Sequence, residues 1–362
     1  MQDPLARLPE LFPDSYFQAR ERFLAHAPDA AGYASTATGP QGEPLWTDVA
    51  WFGPRDAARV AVLVSATHGI EGYCGSAAQL DWISGGGPQA LGPGQAVLVI
   101  HAINPYGYAH DRRVTQEGCD LNRNFVDFEA VPDNPLYDEL APHLVPAALS
   151  GPVVEQAEAH IQAFRARHGE LAFQAARKSG QYRHPTGMFF GGTGPTASRL
   201  TLEKIVRDYG VAERERVLVL DYHTGLGPYG YGELQCEQAS GLQGYERARA
   251  LFGPSVTSPD LGTSSSVILH GTQDEFWQRI LGERHTYVCL EFGTYDPEAS
   301  RRALRADHWL ALDPAHRADP RVVEAIRRQM RDHYYPDRDD WKEMVLWRCR
   351  QVHRQLILGL RA

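Results

Sequence analysis

The stretch Val60-Ala61-Val62-Leu63-Val64-Ser65-Ala66-Thr67-His68-Gly69-Ile70-Glu71 decides the fold. Its first five residues are apolar, β-branched for the most part and free of charge, which is the composition of a strand buried on both faces. Such a strand belongs in a parallel sheet with helices on either side. Just past its end an imidazole and a carboxylate stand three residues apart, flanked by Gly69 and Gly72. Catalytic zinc sites use two His and one Glu and keep a fourth position for water, so His68 and Glu71 are candidates for two of three ligands.

Outward from this stretch the same rhythm repeats. Gly75 to Ile83 reads as a helix closed by Gly85-Gly86-Gly87-Pro88, and Ala96 to Ile100 as a second apolar strand running into His101, Asn104 and Pro105. Strand, helix, strand in that order is a parallel crossover unit. Arg216 to Leu220 and Thr286 to Leu290 supply two more strands of the same kind. Each of the four delivers polar residues beyond its carboxyl end. The first gives His68 and Glu71. The second leads to Arg112-Arg113 and Asp120-Leu121-Asn122-Arg123-Asn124-Phe125. The third gives Asp221-Tyr222-His223, and the fourth Glu291-Phe292-Gly293. Ligand sites of open α/β sheets form outside the carboxyl ends of the strands, so these distant groups are expected to converge.

The remainder frames that sheet. Ser15 caps a helix with Phe17, Phe23 and Leu24 on one face. Residues 28–42 read as a loop and Pro44 to Phe52 as a strand. Pro142 to Lys178 has helical spacing, as does Ala197 to Asp208. Gly191-Gly192-Thr193-Gly194-Pro195 lacks the Gly-Lys-Ser/Thr of a phosphate cradle. Gly227-Pro228-Tyr229-Gly230-Tyr231-Gly232 reads as a Gly-rich loop within reach of the site. The tail from Arg321 to Leu360 is helical, interrupted at Tyr335-Pro336. The expected fold is therefore one α/β domain over 1–362: a twisted, mostly parallel mixed sheet covered by helices on both faces. An N-terminal helical segment, 1–42, and a C-terminal helical tail, 321–362, pack on it.

Composition narrows the partners. With 362 residues, 43% of them apolar, the chain can bury a large core. A net charge of −9 argues against nucleic acid or an anionic membrane surface. Five cysteines without a C-x-x-C imply reduced thiols and a cytoplasmic setting. Met1-Gln2-Asp3-Pro4-Leu5 has no basic-then-apolar leader, and no apolar run approaches the roughly 20 residues of a membrane span. Neither Gly-x-Ser-x-Gly nor His-Glu-x-x-His is present.

In order and spacing, His68-Gly-Ile-Glu71, Asp120-Leu-Asn-Arg-Asn-Phe125, Asp221-Tyr-His223 and the strand-end Glu291 resemble the zinc carboxypeptidase superfamily. More narrowly they resemble a bacterial branch between the carboxypeptidases and the aspartoacylase and succinylglutamate desuccinylase enzymes. The resemblance covers about residues 60 to 295. It implies a zinc carboxypeptidase-like, phosphorylase/hydrolase-like fold and one Zn2+ per chain on His68, Glu71 and His223. It also implies Glu291 as the base for the attacking water and Arg113 as the group polarising the scissile carbonyl. Asn122 and Arg123 would hold a substrate carboxylate, with Arg112 as a neighbouring candidate. The chemistry agrees: zinc lowers the pKa of bound water to about 7, and the planar guanidinium fork matches a carboxylate.

Two departures concern the substrate. Ile70 stands where digestive carboxypeptidases carry Arg. Their Tyr between third ligand and base has four counterparts here, Tyr229, Tyr231, Tyr245 and Tyr287, with Tyr229 and Tyr231 on the Gly-rich loop. The implied activity is hydrolysis of a peptide or peptide-like amide bond next to a free carboxylate, on a small peptide or an acylated amino acid. The alternatives are an N-acyl amino acid deacylase of the aspartoacylase type and a catalytically inactive metal- or ligand-binding protein on this fold. The presence of Glu291 argues against the last.

Overall fold

The apolar run around Val62 lies near the middle of an eight-stranded sheet in a computed structural model that describes residues 7–361. The amino terminus read above for a leader lies outside the described residues. In chain order the strands are β1 (Ala31–Thr38), β2 (Pro44–Phe52), β3 (Arg59–Val64), β4 (Gln95–His101), β5 (Arg216–Tyr229), β6 (Gly232–Gln235), β7 (Val256–Thr257) and β8 (His285–Gly293). Across the sheet their order is β1-β2-β4-β3-β5-β8-β6-β7. The β3–β4, β3–β5, β5–β8 and β6–β7 pairs are parallel, while β1–β2, β2–β4 and β6–β8 are antiparallel.

Period-two alternation splits the central strands between two cores. Ala61, Leu63, Val97, Val99, Leu218 and Leu220 face one layer, which contains the helices Tyr16–His26, Gly72–Ser84 and Asp339–Gly359. Val60, Val62, Val64, Leu98, Ile100, Val217 and Val219 face the other, with the helices Ala197–Asp208 and Gln273–Leu281. Apolar side chains on both faces of a strand require cover on both, which is why these segments lack alternation in sequence. All five cysteines are buried free thiols. No described helix is long and apolar enough to cross a membrane.

Several boundaries differ from the sequence reading. Residues 31–38 form edge strand β1 where a loop was expected. Its small, largely polar residues alternate between exposed and half-buried, and it is held by pairing to β2 (Ala31 opposite Val49). The stretch 142–178 is the last turn of the helix Pro135–Leu144 followed by two more, Pro152–His168 and Glu170–Lys178. The break between those two is Gly169, in the left-handed region at φ +84°. The largest difference is in β5, which runs nine residues past Leu220, so His223 and Glu291 lie within strands and not on loops beyond them. Tyr229 ends β5 opposite Gly293, and β6 starts at Gly232, which leaves little of the expected Gly-rich loop.

Candidate metal centre

The chain leaves β3 through Ala66, a non-glycine residue at φ +60°, and reaches His68. Gly69 to Glu71 make a single 3-10 turn that runs straight into the helix Gly72–Ser84. Gly69 is required there, since a Cβ would stand 2.0 Å from the Gly107 carbonyl carbon. The turn is tied to the next loop by two backbone bonds, Gly69 N–H to the Arg113 carbonyl (3.1 Å) and Ile70 N–H to the Arg112 carbonyl (2.8 Å). Those bonds deliver Arg113 to the site.

His68, Glu71 and His223 meet with their ligand atoms pointing at one another, all three side chains buried. His68 Nδ1 is 2.9 Å from Glu71 Oε1 and 3.1 Å from His223 Nδ1, and His223 Nδ1 is 3.1 Å from Glu71 Oε2. Ligand atoms that share one tetrahedral zinc at about 2.1 Å stand about 3.4 Å apart, so the cluster has roughly the size of such a site. The outer nitrogens are also placed as a metal site needs them. His68 Nε2 is 3.2 Å from Asp120 Oδ1, and His223 Nε2 is 2.8 Å from Asp221 Oδ2, an ion pair off the line of a good hydrogen bond. Asp221 in turn accepts bonds from Thr67 Oγ1 (2.9 Å), Tyr287 Oη (3.0 Å) and Gln273 Nε2 (3.1 Å). Burial works against ionisation of Glu71, but His68 and His223 outweigh it and hold the carboxyl well below its usual range.

Glu291 sits opposite His223 in the β5–β8 register, and its Oε1 accepts the Leu226 N–H at 3.0 Å. Burial, reinforced by the negative charge of Glu71, pushes its carboxyl up to about 8. His68, His223 and Glu291 line one cavity together with Arg113, Asn122 and Arg123. Arg113 is drawn toward the ligand set: Nε donates to Asp120 (2.9 Å), Nη1 to Glu71 (3.0 Å), and Nη2 lies 2.7 Å from His68 Nε2. Arg123 is 2% exposed and is held only by carbonyls, Nε by that of Lys178 (2.8 Å) and Nη1 by that of Asn122 (2.7 Å). No carboxylate among the described residues lies within 4.0 Å of its guanidinium. Asn122 Oδ1 accepts the Gln273 N–H at 2.8 Å.

Three expected site residues are not brought there. Arg112 turns away and is held by Asp307, Nε at 3.0 Å, because consecutive residues of this loop diverge. Tyr229 donates to Asp340 (3.1 Å), and Tyr231 is 46% exposed. Neither lines the cavity. The tyrosine that does line it is Tyr334, from the helix Pro320–Tyr334. It follows Glu291 in sequence and so lies outside the interval between third ligand and base. Phe189 was missed too. It holds a left-handed backbone (φ +57°) and packs its ring against both guanidinia, 5.4 Å from Arg113 and 5.7 Å from Arg123. Asp221, two residues before His223, was visible in its motif, whereas Asp120 lies 52 residues from His68 and only the fold brings the two together.

The buried Arg112–Asp307 pair, which Arg327 also joins, is a stability element. Asp307→Ala is expected to destabilise the fold by about 3–5 kcal/mol, because it leaves a buried guanidinium unpaired. Burial raises the Asp307 carboxyl, but Arg112 and Arg327 outweigh it and hold it well below the usual range. Its contribution is therefore complete above pH ~4 and is lost as pH falls through the lowered folded value. Denaturant midpoints of both proteins at pH 7 and at pH 3 check this: the gap should be large at pH 7 and begin to narrow only in acid.

Solved structures to which the chain is similar include bovine thrombin-activatable fibrinolysis inhibitor in complex with tick carboxypeptidase inhibitor. That match has 14% identity, covers 89% of this chain and 97% of that one, and has a TM-score of 0.41. A metallo-carboxypeptidase from Burkholderia cenocepacia matches at 14% identity over 83% and 68% of the two chains, TM-score 0.41. An aspartoacylase family protein from Mesorhizobium loti matches at 13% over 78% and 66%, TM-score 0.38. No curated protein matches the sequence. Residues 12–348 match the model of the family described as "Protein of unknown function (DUF2817)", and the chain belongs to that family.

Proposed function

We propose that the protein is a zinc-dependent hydrolase of a peptide or peptide-like amide bond next to a free carboxylate. The observation that carries the reading is a buried His68–Glu71–His223 cluster at a cavity lined by His68, His223, Glu291 and Arg123, whose guanidinium has no carboxylate partner among the described residues. Bound there by His68, Glu71 and His223, zinc would supply Lewis-acid polarisation and acidify water. Asp120 and Asp221 orient the two imidazoles for that purpose. Glu291, poised near neutral pH, takes the proton of the attacking water and returns it to the departing nitrogen. Arg113 and the ring of Phe189 border the reacting carbonyl, and Asn122 with Arg123 fix the neighbouring carboxylate. Tyr334 and the ends of β5 and β8 close the remaining walls and limit bulk water.

Zinc-loaded protein assayed against dansylated dipeptides and N-acyl amino acids tests the reading. Turnover of dipeptides supports the peptidase form, and turnover of N-acyl amino acids alone assigns deacylation by the same groups. No turnover of either rejects the hydrolase. Arg123→Lys is expected to raise KM for free-acid substrates by about 10- to 150-fold, since Lys cannot reproduce the planar fork. An amidated analogue should be poor for the wild type and indifferent to the change. Equal cleavage of amidated and free-acid substrates by the wild type would remove Arg123 as the carboxylate anchor.

A further inference from the structure

The cavity holds two cations that the proposed chemistry does not use. Arg177 and Lys178 end the helix Glu170–Lys178 and line the same cavity as Arg123 and Glu291. Arg177 is 3% exposed. Its Nη2 donates to Gln174 Oε1 at 3.0 Å, its Nε is buried without a partner, and the ring of Phe173 lies 5.4 Å from its guanidinium. The nearby carboxylates are engaged elsewhere: Glu298 holds Arg165 and Arg301, and Glu158 holds Arg301 and Arg305. Among the described residues neither Arg177 nor Lys178 has a carboxylate within 4.0 Å. The backbone carbonyl of Lys178 accepts the Arg123 Nε–H at 2.8 Å, which fixes the pair beside the proposed carboxylate anchor.

A buried cation beside a half-buried one, neither with a counter-charge, is costly in a folded protein. Burial, reinforced by the charge of Arg177, holds Lys178 down at about 7, and burial with the charges of Arg301 and Arg165 holds Arg177 at about 10. Glu237, which lines the same cavity, is a weak counter-ion, since burial pushes its carboxyl up to about 7. A ligand anion arriving at this corner would offset the repulsion and find an unused guanidinium N–H.

We propose that Arg177 and Lys178 form a second anion subsite, which takes a substrate carboxylate additional to the one at Arg123. The preferred substrate class is then a dicarboxylate. This rests on reading the cavity as the substrate site, but its test needs no turnover.

Isothermal titration of zinc-loaded protein at pH 7 with succinate, glutarate and adipate, each against its monomethyl ester, provides that test. At least one diacid should bind about tenfold tighter than its ester or better. Lys178→Met and Arg177→Met should each erase the preference while leaving ester affinity unchanged, and Arg123→Met should weaken ester and diacid alike. No diacid preference in the wild type, or a preference that survives in the variants, overturns the subsite. Should Arg177→Met fail to fold, the half-buried Lys178→Met decides alone. A protein that shows the preference yet cleaves neither dipeptides nor N-acyl amino acids loses the hydrolase reading and keeps the subsite.

Discussion

Glu291→Gln is expected to lower turnover by about 10²–10⁴-fold while zinc content stays at the wild-type level. The amide has nearly the size of the carboxyl and can still accept the Leu226 N–H, so the strand register and the cavity wall survive. What it loses is the proton acceptor. A base is most useful when its pKa is close to the working pH, because it must both take and return a proton, and burial with Glu71 holds Glu291 in that range. Elemental analysis and single-turnover kinetics on the same preparation separate the outcomes. Activity near wild type would sink the base assignment. Parallel loss of zinc would make Glu291 a ligand, an arrangement that His223, Cys289 and Glu291 are close enough to permit.

His223→Ala should cost more in metal affinity than the 10- to 100-fold typical of losing an outer partner, because it removes one of three ligand atoms. Zinc measured after dialysis against a competing chelator reads the loss directly. Melting temperature with and without added zinc gives a second reading, since metal that binds only the folded chain raises it. The variant should lose that zinc-dependent rise. Full zinc retention would break the ligand set, and with it the proposed chemistry.

The four buried strands and the convergence of their ends were legible because a doubly buried strand has an unmistakable composition, as Val60–Val64 and Ala96–Ile100 show. Edge strands carry no such mark: Ala31–Thr38 has little apolar surface to bury, and its order comes from β2. The length of β5 was illegible because Gly225, Gly227 and Pro228 are poor strand formers, and they fall in an irregular stretch between the pairings of Thr224 and Tyr229 to β8. At the site, chemistry-bearing residue types at fixed spacings marked His68, Glu71, His223 and Glu291. Direction was harder to read, since neighbours such as Arg112 and Arg113 diverge only once Asp307 and Glu71 are placed. Phe189, Tyr334 and Arg177 arrive from segments remote in sequence and bear no motif.

The register of β5 against β8 has a further consequence. His223 faces Glu291, and Asp221 faces Cys289 two residues earlier. Neighbouring strands run about 4.8 Å apart, so the separation of proposed ligand and proposed base is a lattice constant of the backbone. Loops joining these strands are free to vary in length without disturbing it. A single-residue insertion or deletion within either strand is not tolerated in the same way, because it turns every side chain beyond it to the opposite face. Leu290 or Phe292 would then occupy the place of Glu291, and the site would vanish with all of its residues still present in the chain.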